Sequence, residues 1–252
     1  MRSSAFAALF LALATLAAAQ TPVPASAPWS YFGKTGPLNW GKLDPAYRTC
    51  SKGEEQSPID IRGARLNTAL RPIEFHYLAG PIKLSNDGNG IVARVLPGSY
   101  IVAGGVHYNL VEFSFHHPSE TAVKGRLTEL EVDLLHKSAD GKLVILAVRM
   151  REDMTHPNAT LATLWENLPV TAGSSKEVKE MVNPGGLLPV DRGYWTYMGS
   201  LVTPPCTEGV RWYVFQQTVG LSRWQWQTFA ELFPMNTRSL QDPHGRRIDA
   251  SE

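Results

Sequence analysis

From Tyr108 to Glu120 the chain runs Tyr-Asn-Leu-Val-Glu-Phe-Ser-Phe-His-His-Pro-Ser-Glu, and apolar and polar residues alternate along it with a period of two. That period puts Glu112, Ser114 and His116 on one face and Val111, Phe113 and Phe115 on the other, which is the pattern of a strand. A row of polar groups on an otherwise apolar strand implies a pocket. The rest of the chain has to supply the sheet in which such a strand can sit.

It does so in short runs of β-forming residues: Ile73 to Tyr77, Ile82 to Leu84, Ile91 to Val95, Tyr100 to Val102, Thr128 to Lys137 and Leu143 to Met150. Turn signals separate them, among them Asn86-Asp87-Gly88-Asn89-Gly90, Pro97-Gly98 and Asp140-Gly141. Helical patterning is confined to Asn158–Leu168 and to a segment opened by the capping-box sequence Ser222-Arg223-Trp224-Gln225. The expected fold class is therefore mainly β and largely antiparallel, with a few short helices against the sheet.

Arg2 followed by the apolar run Ala5 to Leu16 and by Ala17-Ala18-Ala19 has the form of a secretory signal peptide, residues 1–19. Residues 20–28 are rich in Pro, Ala and Ser and read as a disordered leader. Residues 29–252 contain nothing resembling a linker, so a single domain is expected. No other uncharged stretch reaches the roughly 18 residues of a membrane span. The predicted location is periplasmic or secreted. A formal charge of +1, with no basic patch, argues against a nucleic-acid partner. Two distant cysteines in an exported chain, Cys50 and Cys206, read as a disulfide.

Several segments occur in an order that resembles the α-class carbonic anhydrases. They are Trp29-Ser30-Tyr31 with Trp40, Gln56-Ser57-Pro58-Ile59, Phe115-His116 with Pro118-Ser119-Glu120, Glu131 to His136, Gly199 to Cys206 and Asn236-Thr237-Arg238. The resemblance covers nearly all of the expected mature chain. It implies a central, largely antiparallel sheet of about ten strands with a conical cavity, and it supports the Cys50–Cys206 bond.

The family's activity, hydration of carbon dioxide, uses a zinc ion held by three neutral imidazoles, with an open fourth position for water. At the positions matching those ligands this chain carries Ser114, His116 and Asp133. Val202 stands where the family has a hydroxyl that takes the zinc-hydroxide proton, beside its carboxylate partner Glu120. Asn89 stands at the usual proton-shuttle histidine, Glu112 at a glutamine that orients the first ligand, and Glu131 at a ligand-supporting carboxylate. The hydrophobic wall for carbon dioxide is matched by Leu135, Ile145, Leu201, Val210 and Trp212. His117, His136 and His107 fall on the opposite face from His116 by the two-residue count, and His136 reads as a sheet-contact histidine. The strand carrying His76 is not placed by the sequence.

These departures predict loss of zinc-dependent hydration and no resident cofactor, leaving a binding or structural protein with a small molecule or a protein at the cavity. Two alternatives stand beside that expectation. One is a carbonic anhydrase with an altered zinc site built on His116 and Asp133, with help from Glu112. The other is a hydrolase with Ser114 as nucleophile, His116 as base and Asp133 as orienting acid. Against the last, the short Ser114 side chain is expected to reach His116 poorly. Asp133 and Glu112 are expected to raise the His116 pKa in a carboxylate–imidazole network. Asn158-Ala159-Thr160 has the form of a glycosylation acceptor.

Overall fold

The computed structural model describes residues 28–252. The expected signal peptide and nearly all of the leader lie outside the described residues. The first described segment winds through short helical turns, including α1 (Trp40–Leu43) and α2 (Thr49–Lys52). Its aromatic rings close on themselves: Tyr31, Trp40 and Tyr47 are buried together with Cys50 and Cys206. Those two cysteines form the expected disulfide.

The strands are β1 (Asp60–Ile61), β2 (Arg65–Leu66), β3 (Glu74–His76), β4 (Gly80–Asn86), β5 (Ile91–Val95), β6 (Tyr100–Ala103), β7 (Val106–His116), β8 (Ala122–Val123), β9 (Leu130–Lys137) and β10 (Leu143–Glu152). After helix α3 (Ala159–Trp165) come β11 (Ser175–Val182), β12 (Tyr194–Ser200), β13 (Glu208–Phe215), β14 (Val219–Leu221), helix α4 (Arg223–Leu232) and β15 (Asp249–Ala250). Thirteen of these strands make one sheet, whose main path is β11-β4-β5-β7-β9-β10-β13-β12-β15-β2. Its pairings are antiparallel except for β10 with β13, β10 with β14, and β15 with β2. The sheet thus has more strands than the ten or so expected. The turn-bounded runs of the sequence locate its first half, and none of them covers β11 to β14.

One face of the sheet holds the main core. Phe113 and Phe115 of β7, Val132 and Leu134 of β9, and Leu146 and Val148 of β10 meet Leu161, Leu164 and Trp165 of α3 and Phe229 of α4 there. The second helix begins at the predicted capping box, formed reciprocally by Ser222 and Gln225, and the first is capped by Asn158, whose Oδ1 accepts from Leu161 N. The Asn158 amide nitrogen donates to Gly186 O at 3.0 Å and the residue is 9% exposed. That side chain is a helix cap, not an accessible glycosylation acceptor.

The opposite face is hollowed. There, Ile145, Val202, Val210, Trp212 and Val214 form a second apolar cluster beside the cavity.

Strict alternation fails once, at Val111. Leu110 pairs with His136 and Glu112 with Leu135, so Val111 is an extra residue in β7. It bulges outward and is 40% exposed instead of sharing the core face with Phe113 and Phe115. The bulge resets the phase, so that buried Tyr108 and Leu110 join Phe113 in the core. His107 consequently lies on the cavity-side face of β7, contrary to the two-residue count. It remains far along the strand, stacked on Tyr100 and bonded to Asn109, and does not line the cavity.

Candidate functional site

Register makes the site. Antiparallel pairing sets Ser114 of β7 opposite Asp133 of β9, and His116 opposite Glu131. All four therefore project to the hollowed face. A cavity of about 280 Å³ opens above them, with Ser114, His116 and Asp133 at its floor. Leu135, Ile145, Leu201 and Val202 line one side, and Trp29, Tyr31 and Asn89 are among its other lining residues.

His116 is 4% exposed and hydrogen-bonded at both ring nitrogens. Nε2 lies 3.0 Å from Ser114 Oγ. Nδ1 lies 3.1 Å from the Asn236 carbonyl oxygen and 3.2 Å from Glu120 Oε1. Ser114 therefore reaches the imidazole, contrary to expectation, because the two side chains lean together across one pleat. Glu120 is fully enclosed and accepts the Arg238 backbone N–H at 3.2–3.3 Å, which fixes the carboxylate against the ring. Burial alone would push the His116 pKa down. The hydrogen bond to Glu120 and its charge, then the charge of Asp133 and the Asn236 carbonyl, outweigh burial and raise it to about 9. At neutral pH the ring is an imidazolium that donates from both nitrogens.

Asp133 is also buried, at 4% exposure, and neither of its carboxylate oxygens has a hydrogen-bond partner. Its Oδ2 is 3.8 Å from His116 Nε2, too long for a hydrogen bond. Burial, followed by the neighbouring Glu131 charge, holds its pKa well above the ordinary carboxylate range, while His116 acts in the opposite direction. Glu131 accepts from Thr121 N and Thr121 Oγ1, both at 2.9 Å, and its proximity to Asp133 adds to that upward shift. Its pKa is likewise raised, first by burial.

The expected network is corrected in two places. Glu112 pairs with Arg94 at 3.2 Å, so its carboxylate does not bond to His116; Glu120 fills that role. The proposed Ser114–His116–Asp133 relay also fails, because Asp133 approaches Nε2, the nitrogen already shared with Ser114, while Glu120 holds Nδ1. An imidazolium donating to Ser114 cannot accept its proton, so this serine is not activated as a nucleophile.

The remaining positions divide cleanly. Val202 is 7% exposed and packed in the apolar cluster. Val210 and Trp212 are fully buried behind the cavity wall instead of lining it. Asn89 sits at the cavity and donates to Trp29 O at 3.3 Å. His117 stacks on Trp226 of α4, and its Nδ1 bonds the Glu129 carbonyl at 2.6 Å, on the helical side of the sheet. His136 is buried between Tyr77 Oη and Leu134 O, and burial lowers its pKa to about 3. His76 is exposed and stacked on Tyr100.

Asn236 and Arg94 were missed as site residues. Asn236 ties the site together by accepting from His117 N, donating to Phe115 O and offering its carbonyl to His116. Its place in Asn236-Thr237-Arg238 was the available signal. Arg94 has no local motif, and only the β5–β7 register sets it opposite Glu112.

A zinc ion of the family's type does not fit this donor set. One imidazole replaces three, both of its nitrogens are engaged, a serine hydroxyl stays protonated at neutral pH, and Asp133 is the remaining acidic floor group. Among the described residues, no three His, Cys, Asp or Glu side chains are grouped to hold a metal ion.

Residues 35–252 match the family model described as eukaryotic-type carbonic anhydrase. A carbonic anhydrase of Klebsiella pneumoniae is 37% identical over 239 residues, covering 93% of this chain and 96% of that protein. A hyperthermostable carbonic anhydrase from an active hydrothermal vent chimney superposes with a TM-score of 0.85 at 37% identity, covering 89% of this chain and all of that one. Dioscorin, in a crystal structure described as complexed with ascorbate, gives a TM-score of 0.81 at 30% identity and covers 88% of this chain and 97% of its own. With its fold, its disulfide and the order of its cavity positions all in agreement, the chain belongs to the eukaryotic-type, or α-class, carbonic anhydrase family.

Proposed function

We propose that this chain keeps the carbonic anhydrase fold and cavity but does not catalyse zinc-dependent hydration of carbon dioxide, and that its cavity binds a small molecule. The observation that carries this is the pairing of Ser114 with Asp133 at the floor, where the chemistry requires two imidazoles. Val202 removes the hydroxyl that would handle the hydroxide proton, and a hydrogen-bonded imidazolium occupies the centre. A change in a ligand-supporting group alone costs about 10- to 100-fold in affinity or activity; here two ligand positions have changed as well. The description of dioscorin with ascorbate supports small-molecule binding as a use of this fold. The disulfide supports an oxidising compartment, and with the leader sequence it favours a periplasmic or secreted protein.

A second reading, a carbonic anhydrase with an altered metal site, is favoured by relatives named as carbonic anhydrases and by the unpaired Asp133 oxygens facing His116. Metal analysis of the natively purified protein, before and after zinc is added, combined with a carbon dioxide hydration assay, decides between them. The expected result is less than stoichiometric zinc and no hydration above background. One tightly held equivalent of zinc with hydration activity overturns the first reading.

A further inference from the structure

The cation on the cavity floor, the His116 imidazolium, is engaged by Glu120 and Ser114, and the floor still has free hydrogen-bond acceptors. Asp133 presents two buried oxygens without partners, an arrangement that is unfavourable unless something brings donors to them. Behind it, Glu131 accepts from Thr121 N and Thr121 Oγ1, and Glu120 is engaged by His116 and by Arg238 N. The cavity lining adds Asp87 and Glu112, against which stand Arg94, already paired with Glu112, and His116, already paired with Glu120. The Arg238 guanidinium is spent on the carbonyls of Ser57 and Cys50.

We propose that the floor is a binding site for a small primary ammonium ion with a short apolar tail, its head on Asp133 and its tail against Leu135, Ile145, Leu201 and Val202. The assignment rests on the reading that no zinc is held there. An ammonium carries three N–H donors. Two match the free oxygens of Asp133, and the third can meet the remaining lone pair of Ser114 Oγ on the same floor. A metal ion needs lone pairs from several ligands, whereas both nitrogens of His116 are already engaged. An ammonium needs acceptors alone, and those are what the floor leaves free. The apolar side wall suits a short alkyl or aryl tail, and a cavity of about 280 Å³ limits the ligand to a small one. Trp29 and Tyr31 add aromatic side chains to the lining.

The test is calorimetric titration of the purified full-length protein, of measured metal content, with benzylamine, benzyl alcohol and benzoate. Benzylamine is expected to bind one per chain. Benzyl alcohol and benzoate should bind about ten- to a hundredfold more weakly, the range of a lost charge-assisted hydrogen bond. Asp133→Asn should weaken benzylamine by a similar factor while still melting cooperatively. Equal affinity for the amine and the alcohol overturns the proposal, as does unchanged benzylamine affinity in the folded Asp133→Asn variant. Should that variant fail to fold, the amine and alcohol comparison on the unaltered chain decides. Metal-free protein that ignores benzylamine sinks the ammonium site alone. Stoichiometric zinc with hydration activity sinks the functional reading beneath it as well.

Discussion

Ser114 Oγ stands 3.0 Å from His116 Nε2, two residues along one strand face. The resemblance to the family's metal site implies two side chains at these positions aimed at a common point in the cavity. Here they are turned toward each other instead. Glu120 closes the arrangement from the other side of the ring, so the imidazole has a complete set of partners within the protein. The floor is a finished hydrogen-bond unit except at Asp133.

If side-chain chemistry, and not backbone geometry, is what separates this floor from a zinc site, restoring the side chains should restore the metal. The strands that carry the three positions are paired in register, with Ser114 opposite Asp133. The double variant Ser114→His with Asp133→His is expected to bind about one equivalent of zinc at neutral pH, with either single variant binding much less. Val202→Thr added to the pair should raise carbon dioxide hydration further. Metal analysis after dialysis, with a hydration assay on the same samples, checks both; a zinc-free double variant would show that the backbone has moved.

Asp133 should make the protein less stable than it could be. Its pKa is raised above the unfolded value of about 3.9. A group shifted in this direction contributes its stability below the unfolded pKa, and that contribution is lost as pH rises toward the folded one. Asp133→Asn is therefore expected to raise Tm at pH 8 and to leave it nearly unchanged at pH 4, as read by thermal melts at both pH values. A buried acid kept at the expense of stability fits a binding role.

His116 gives a second pH signature. Its pKa rises from an ordinary 6.5 to about 9, so the stability it contributes is complete below pH 6.5 and lost as pH rises through 9. The main support is Glu120. Glu120→Gln should lower the His116 pKa by removing the anionic acceptor at 3.2 Å, and should flatten the stability profile between those two pH values. Proton NMR titration of the His116 ring reads the shift directly. An unchanged midpoint would mean that Asn236 and Asp133 hold the charge instead.

What the sequence carried, it carried through alternation and order. The period of two around Ser114 and His116 identified the cavity-facing side correctly because β7 is regular from Glu112 to His116. It failed before Glu112, since a bulge at Val111 adds a residue that no local composition announces, and the faces of Val111 and His107 were misassigned for that reason. The capping box of Ser222 and Gln225 is readable in the sequence because its bonds are local. The partner of His116 was not, because Glu120 reaches the ring after a turn in the chain whose path depends on Arg238, more than a hundred residues away. Val210 and Trp212 match a cavity wall by position yet are fully buried and outside the cavity lining, a distinction set by the packing of neighbouring strands and not by local sequence.

The Cys50–Cys206 bond joins the aromatic amino-terminal segment to the loop that follows Val202. It closes a sequence separation of 156 residues, long enough for a large reduction in unfolded-chain entropy. On the native side, the half-cystines pack with Tyr31, Trp40 and Tyr47, and Arg238 bonds the Cys50 carbonyl, so the segment is also held by contacts that survive reduction. The paired replacement Cys50→Ser with Cys206→Ser is accordingly expected to fold and to lose about 2–5 kcal/mol of stability. Denaturant titration under non-reducing conditions measures the difference. Because Tyr31 lines the cavity and Val202 lies at its apolar side, loosening this junction should also weaken ligand binding at the floor. Loss of stability with fully retained binding would show that the amino-terminal segment is a brace for the fold and not a wall of the site.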